Sequence, residues 1–248
     1  MPSEKLVPTV ATPIACELPD CWGVDCSQKL TANELFAFKL QSAICVRFVV
    51  RYVFFGPPRP GDLDLSETQT VLDAGLTLLV VQHVRDHDWS PSKQLGDSDG
   101  GWAAKNAEAA GYPPGLGLHI ALDLEGVAAA SWGAPTIEHA ETWCSAVLAG
   151  GYRPVIYVGY KCGLTPQQLY DLPNVDRYWS DAGPRSVVTR GFCMKQHAEI
   201  TMAGIFVDPD HHSPDALNGV LTGLCAPAAV PGLAVALLDP VTDEPSDG

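Results

Sequence analysis

Two spacings of apolar residues alternate along the chain. Short β-branched or leucine-rich runs at 21–26, 46–54, 76–84, 116–126, 153–160, 175–181, 191–197 and 203–208 read as strands. Between most of them lie segments with helical spacing, at 31–43, 64–75, 102–111, 136–151, 165–172 and 213–224. Thr31 with Glu34 three residues on forms a capping box, Gly75 closes the second helix, and Pro166 suits a first helical turn. A Gly-, Asp- and Ser-rich stretch at 85–101 reads as a loop, and the crossovers around 182–190 and 198–202 are too short for full helices. Eight strands interleaved with helices predict an α/β fold, a (β/α)8 TIM barrel that is irregular in its second half. The barrel would span 21–225. Residues 1–20 form an extended Pro-rich arm, and 226–248 an acidic Pro-rich tail with one apolar island at 232–238.

A TIM barrel carries its site at the C-terminal ends of its strands. The predicted ends are polar: Asp25 with Gln28 just beyond, Arg51 and Tyr52, Gln82 and His83, Asp123 and Glu125, Tyr157 and Tyr160, Trp179 and Asp181, Gln196 and His197, and Asp208. The fourth strand, "GLHIALDLEG", is the most informative. Side chains alternate along a strand, so His119, Ala121, Asp123 and Glu125 share one face while Leu118, Ile120, Leu122 and Leu124 share the other. The leucine face would pack under helices and the acidic face would point into the barrel mouth. Acids in that position can also cap loop amides or pair with a cation such as Arg51. Four acids crowded in one pocket (Asp25, Asp123, Glu125, Asp208) would keep at least one carboxyl protonated near neutrality, because like charges oppose joint ionisation. A proton-donating acid beside a charge-stabilising one is what glycoside hydrolysis needs. No GxSxG elbow, GxGxxG turn or phosphate loop competes with that reading.

Composition narrows the partners. The 248 residues carry 15 basic and 29 acidic side chains, a net charge of −14, which argues against nucleic acid and against loose adhesion to an anionic cell wall. No run of eighteen apolar residues could span a membrane, and the N-terminus lacks the pattern of a signal peptide. Without a signal, the eight cysteines read as buried or idle thiols, although Cys16, Cys21 and Cys26 cluster closely enough to suggest pairing.

Taken together, these motifs resemble the glycoside-hydrolase-like TIM barrels, both the family 25 lysozymes and the related domain-of-unknown-function family 1906. "GVDCSQ", "LDLEG", "GYRPVIYVGY", "RYWSD", "MKQH" and "GIFVDPD" follow the family 25 order, and "VVRYVF" with "LSETQTVLDAGLTLLVVQH" follows family 1906, over about residues 22–224. The resemblance implies hydrolysis of β-1,4 bonds in peptidoglycan glycan strands, without metal or cofactor. It implies Glu125 as general acid and Asp123 as the group that orients the substrate's N-acetyl group or stabilises the oxocarbenium ion. Asp25 and Asp208 would shape the substrate site and tune its charge. Gln28, Arg51, Gln82, Tyr157, Trp179, Asp181 and Gln196 complete the expected binding set. The chain departs from the pattern at His197, where an aromatic is usual, and at Asp210, where Asn is usual.

Two further classes compete. A non-catalytic glycan-binding barrel would keep the cleft and the stacking aromatics Trp132, Tyr157, Tyr160 and Trp179 without turnover. A metal-dependent hydrolase would use His83 and His87, or Asp208, Asp210, His211 and His212. The implied partner is peptidoglycan or another glycan. With no export signal read, synthesis would be cytoplasmic and delivery would go by phage-style lysis or a dedicated secretion machine. Such a machine or a phage particle would engage the N-terminal arm or the C-terminal tail.

Overall fold

The computed structural model describes residues 12–40 and 44–227. The first strand, β1 (Ile14–Glu17), lies in what the sequence assigns to the arm. Seven parallel strands follow: β2 (Cys21–Cys26), β3 (Val46–Val53), β4 (Thr77–Gln82), β5 (His119–Leu124), β6 (Arg153–Val158), β7 (Tyr178–Ser180) and β8 (Met194–Gln196). A hairpin of β9 (Ile200–Met202) and β10 (Ile205–His212) comes next, then β11 (Thr222–Cys225). β10 inserts between β8 and β2, antiparallel to both, and closes an eight-stranded barrel. The expected barrel is therefore present, but its eighth strand runs backwards. The hairpin turn explains the reversal: Ala203 (φ 53°) and Gly204 (φ 83°) adopt the paired left-handed conformation of a two-residue hairpin turn, which returns the chain at once.

Among the described residues, four of the five α-helices fall where the apolar spacing places them: α1 (Ala32–Leu40), α2 (Leu65–Asp73), α4 (Ala134–Ala149) and α5 (Pro166–Tyr170). The Thr31–Glu34 capping box is made, with the Thr31 amide donating to Glu34 at 2.7 Å. Residues 41–43 of the first predicted helix lie outside the described residues, as do 1–11 of the arm and 228–248 of the tail. The third helix, α3 (Lys93–Ala109), starts nine residues earlier than 102, inside the stretch read as a loop. Ser92 caps it. Gly96 and Gly100 are packing positions rather than breakers: a Cβ at Gly100 would lie 2.6 Å from the Trp143 carbonyl of α4. The close approach of α3 to α4 repays the helix propensity that the glycines forgo. The helix predicted over 213–224 does not form. Asp215 accepts from the Leu217 and Gly219 amides and pairs with Arg190, so this segment is a tight turn that leads into β11.

β11 pairs antiparallel with β1 and with the start of β4, at the pole of the barrel opposite the β5 terminus. A disulfide between Cys16 and Cys225 ties the two strands together. Thus Cys16 pairs with a distant partner, while Cys21 and Cys26 are free and buried.

Alternation divides the core in two. Phe48, Val50, Leu79, Val81, Ala121 and Val155 point into the barrel. Val49, Leu78, Val80, Ile120, Leu122 and Ile156 pack outward under the helices.

Candidate active site

At the C-terminal rim of the parallel strands lies a cavity of about 270 Å³ lined by Tyr52, Asp123, Glu125, Tyr157, Trp179, Gln196 and Asp208. Asp123 and Glu125 share the inner phase of β5, with Asp123 buried and Glu125 half-buried just past the strand end. Because β10 runs backwards, Asp208 reaches this rim from the early part of its strand, directly opposite Asp25 of β2. The four acids singled out in the sequence are thus brought to one rim.

A second tier of side chains fixes them. Tyr52 Oη donates to Asp25 Oδ1 at 2.8 Å and Gln196 Nε2 donates to Asp25 Oδ2 at 2.9 Å. Tyr157 Oη donates to Gln196 Oε1 at 2.8 Å. Trp179 Nε1 donates to Asp210 Oδ1 at 2.9 Å. Trp89 Nε1 donates to the Glu125 carbonyl at 2.8 Å, holding the loop that carries the acid. Gly159 leaves room for it: a Cβ there would stand 2.6 Å from Glu125 Oε2.

The electrostatics are one-sided. Burial, then the charge of Asp208, pushes Asp25 up to about 7 against the hydrogen bonds from Gln196 and Tyr52. Asp123 is held well above the usual carboxylate range by burial, then by Glu125 and Asp25. Burial also raises Glu125, with His87 and Arg185 opposing and Asp181 adding to the effect. Asp208 is raised by burial and by Glu199. Asp210, fully buried, is raised well above its ordinary value by burial and by Asp25, to which it donates when protonated. Asp123 Oδ1 and Asp210 Oδ2 accept from no N–H or hydroxyl donor among the described residues. Such groups are stable only if protonated or met by a ligand.

Of the expected binding residues, Asp25 and Asp181 lie beside the cavity without lining it, and three others point away from it altogether. Arg51 is fully buried on the outer face of β3, where Nε donates to Glu67 Oε1 at 2.6 Å and Nη2 to the Gly61 carbonyl at 3.0 Å. Gln82 also points outward, donating to the Asp99 carbonyl at 2.6 Å and accepting from Trp143 Nε1 at 2.7 Å. Gln28 is exposed on the loop after β2. Trp179 lies under the cavity as its floor, fully buried. Asp181 borders the site through its influence on Glu125 and its pairing with Arg185 at 3.0 Å. Two residues of the site stand outside the expected binding set, although Tyr52 is read with Arg51 at its strand end. Tyr52 is the inward neighbour of Arg51, and strict alternation from Val50 would select it. Asp210 enters the sequence reading as a departure from the family pattern and as a candidate of the metal reading, not as part of the acid cavity.

Three of the four histidines of the metal reading are engaged elsewhere. His83 bonds Asp62 at 3.0 Å, His211 bonds Asp20 at 2.9 Å, and His212 donates to the Pro19 carbonyl at 2.7 Å. Among the described residues no group of three or more His, Cys, Asp or Glu side chains could hold a metal ion.

Comparison with solved structures places the fold. An uncharacterized B. stearothermophilus protein matches with a TM-score of 0.60 at 17% identity, covering 81% of this chain and 99% of its own. The Mycobacterium tuberculosis Tat-secreted protein Rv2525c matches with a TM-score of 0.58 at 14% identity, covering 81% and 98%. The catalytic domain of endolysin ply40, from bacteriophage P40 of Listeria monocytogenes, matches with a TM-score of 0.52 at 17% identity, covering 80% and 96%. At these identities the likeness is one of fold. No curated protein sequence matches the chain. The family is given by residues 40–207, more than half of the length, which match the Rv2525c-like, glycoside hydrolase-like domain: the chain belongs to that family.

Proposed function

We propose that the protein hydrolyses the β-1,4 linkages of peptidoglycan glycan strands, with Glu125 as general acid. The observation that carries this reading is the five-carboxylate rim, in which Asp123 and Glu125 share one cavity and every acid is shifted toward its protonated form. An acid must be protonated at working pH to donate to a leaving glycosidic oxygen. Glu125 is the acid of the pair that is only half-buried, so it is the one a glycan can meet. As the carbon–oxygen bond breaks, positive charge grows on the sugar ring, and the buried Asp123, which its surroundings favour in the protonated form, lies on the same face as a hydrogen-bonding group that orients the acetamido group. Asp25, clamped by Tyr52 and Gln196, is fixed beside the pair. Membership of a glycoside hydrolase-like family and a barrel shared with an endolysin catalytic domain support the assignment.

The test is incubation with purified peptidoglycan, followed by mass spectrometry of the released ends. New reducing-end muramic acid is expected, and Glu125→Gln is expected to slow its release by about 10²–10⁴-fold, the usual contribution of a general acid. Sacculi that are bound but never cut by the wild-type protein would overturn the reading in favour of a glycan-binding barrel.

A further inference from the structure

Beside the acid cavity runs a larger groove of about 570 Å³, within the usual range of ligand sites, with Trp132, Tyr160, Lys161, Thr165, Gln168 and Arg185 along it. Its floor is joined to the loop that carries the acid. The Gly126 amide donates to the Tyr160 carbonyl at 2.8 Å, Val127 to Lys161 at 3.0 Å, and Gly133 to Gly163 at 3.0 Å. Trp132 and Tyr160 are held at 50% and 60% exposure, unusual for large aromatics, and Trp132 is fixed by its indole N–H donating to the Val127 carbonyl at 3.1 Å. Lys161 Nζ stands 5.6 Å from the Tyr160 ring centroid and Arg185 Cζ 6.0 Å from it. Lys161 adopts a left-handed backbone (φ 54°), a conformation rare for Lys.

The charge of this groove opposes that of the whole. In a chain of net charge −14, the groove lining contains two cations and no acid. Their existing ion pairs leave capacity. Lys161 meets the exposed Asp88 only at 3.6 Å, a pair worth little in water. Arg185 binds Asp181 through Nε and Nη2, and its Nη1 has no partner among the described residues. The aromatic ledge with adjacent cations suits a ligand that is part sugar and part carboxylate.

We infer that this groove is the subsite for the acidic peptide stem carried by a muramic acid residue, beside the sugar whose glycosidic bond faces Glu125. The inference rests on the hydrolase reading above and adds which part of the substrate is recognised outside the cleavage site. It also resolves a tension in the sequence: the acidic surface repels an anionic wall polymer in general, and the groove admits it at one place.

The experiment measures binding in the Glu125→Gln protein, so that nothing is consumed. The ligands are a soluble disaccharide-peptide and an uncharged N-acetylglucosamine oligomer of equal length, titrated by calorimetry. Lys161→Asn removes the charge and tolerates the left-handed backbone; Arg185→Gln is the second variant. Each is expected to weaken the disaccharide-peptide about 3- to 5-fold, the effect of one partly exposed charge pair. High salt should act similarly, and the neutral oligomer should be unaffected. Equal affinity for the two ligands, insensitivity to both variants, or a polyuronide bound as tightly as the disaccharide-peptide would overturn the inference. Stem-dependent binding by a wild-type protein that cuts nothing would overturn the hydrolase reading and leave the groove assignment standing.

Discussion

Arg51 and Asp25 sit at the ends of adjacent strands, one residue apart in register, and both are almost wholly buried. Arg51 is neutralised. Glu67 accepts from Nε and Nη2, the Cys26 and Gly61 carbonyls accept further N–H bonds, and Glu67 also takes the Leu30 amide at 2.7 Å. Asp25 has Tyr52 and Gln196 as donors but faces only other acids as charged neighbours, with Asp123, Asp208 and Asp210 close by and no buried cation among them. The difference teaches how to read buried charge. A satisfied pair fastens loops, here the ends of β2 and α2 to β3. Charge that stays unneutralised in a cavity costs stability and is kept where chemistry or a ligand uses it.

Removing either side should separate the two kinds of charge. Arg51→Met strands Glu67 without a counter-charge, and a loss of about 3–5 kcal/mol is expected from the denaturation midpoint. A loss below about 1 kcal/mol would show that the pair is not the fastener. Asp210→Asn should do the opposite, keeping the Trp179 hydrogen bond and removing a second carboxyl that burial holds well above its ordinary pKa. The sign follows from protons bound. Asp25 titrates near 7 in the folded chain but near 3.8 when unfolded, so between those values the folded state holds more protons and stability falls as pH rises. One such proton is worth about 1.4 kcal/mol per pH unit. The melting temperature of the wild-type protein should therefore drop from pH 5 to pH 8, and Asp210→Asn should melt higher at pH 8 with a shallower slope. Identical profiles would sink the coupling. The smallest effect belongs to Gln28, outside both groups: Gln28→Ala should leave stability within about 0.5 kcal/mol and glycan cleavage unchanged, as for an ordinary surface position.

How much of this was legible beforehand depends on which periodicity applies. On β5 the two-residue alternation separates acids from leucines without help from coordinates, and the rim acids follow from it. The same alternation on β3 and β4 would have set Arg51 and Gln82 among the outward residues, beside Val49 and Val80, and turned Tyr52 inward. Reading strand ends as a group, without regard to phase, assigned both to the mouth. Other features were not written locally. The glycines of α3 look like breakers until α4 is known to pack within their missing side chains. The direction of β10 depends on a two-residue turn whose first position is Ala203, which carries no turn signal of its own. The partner of Cys16 lies 209 residues away, beyond any argument from spacing.

The strap of β1 and β11 beneath the barrel has a practical meaning. Both described ends of the chain emerge at the pole remote from the acids, stapled to one another by sulfur. The chain thus enters and leaves its described part on the side away from the acid cavity, so fusions there start far from the mouth.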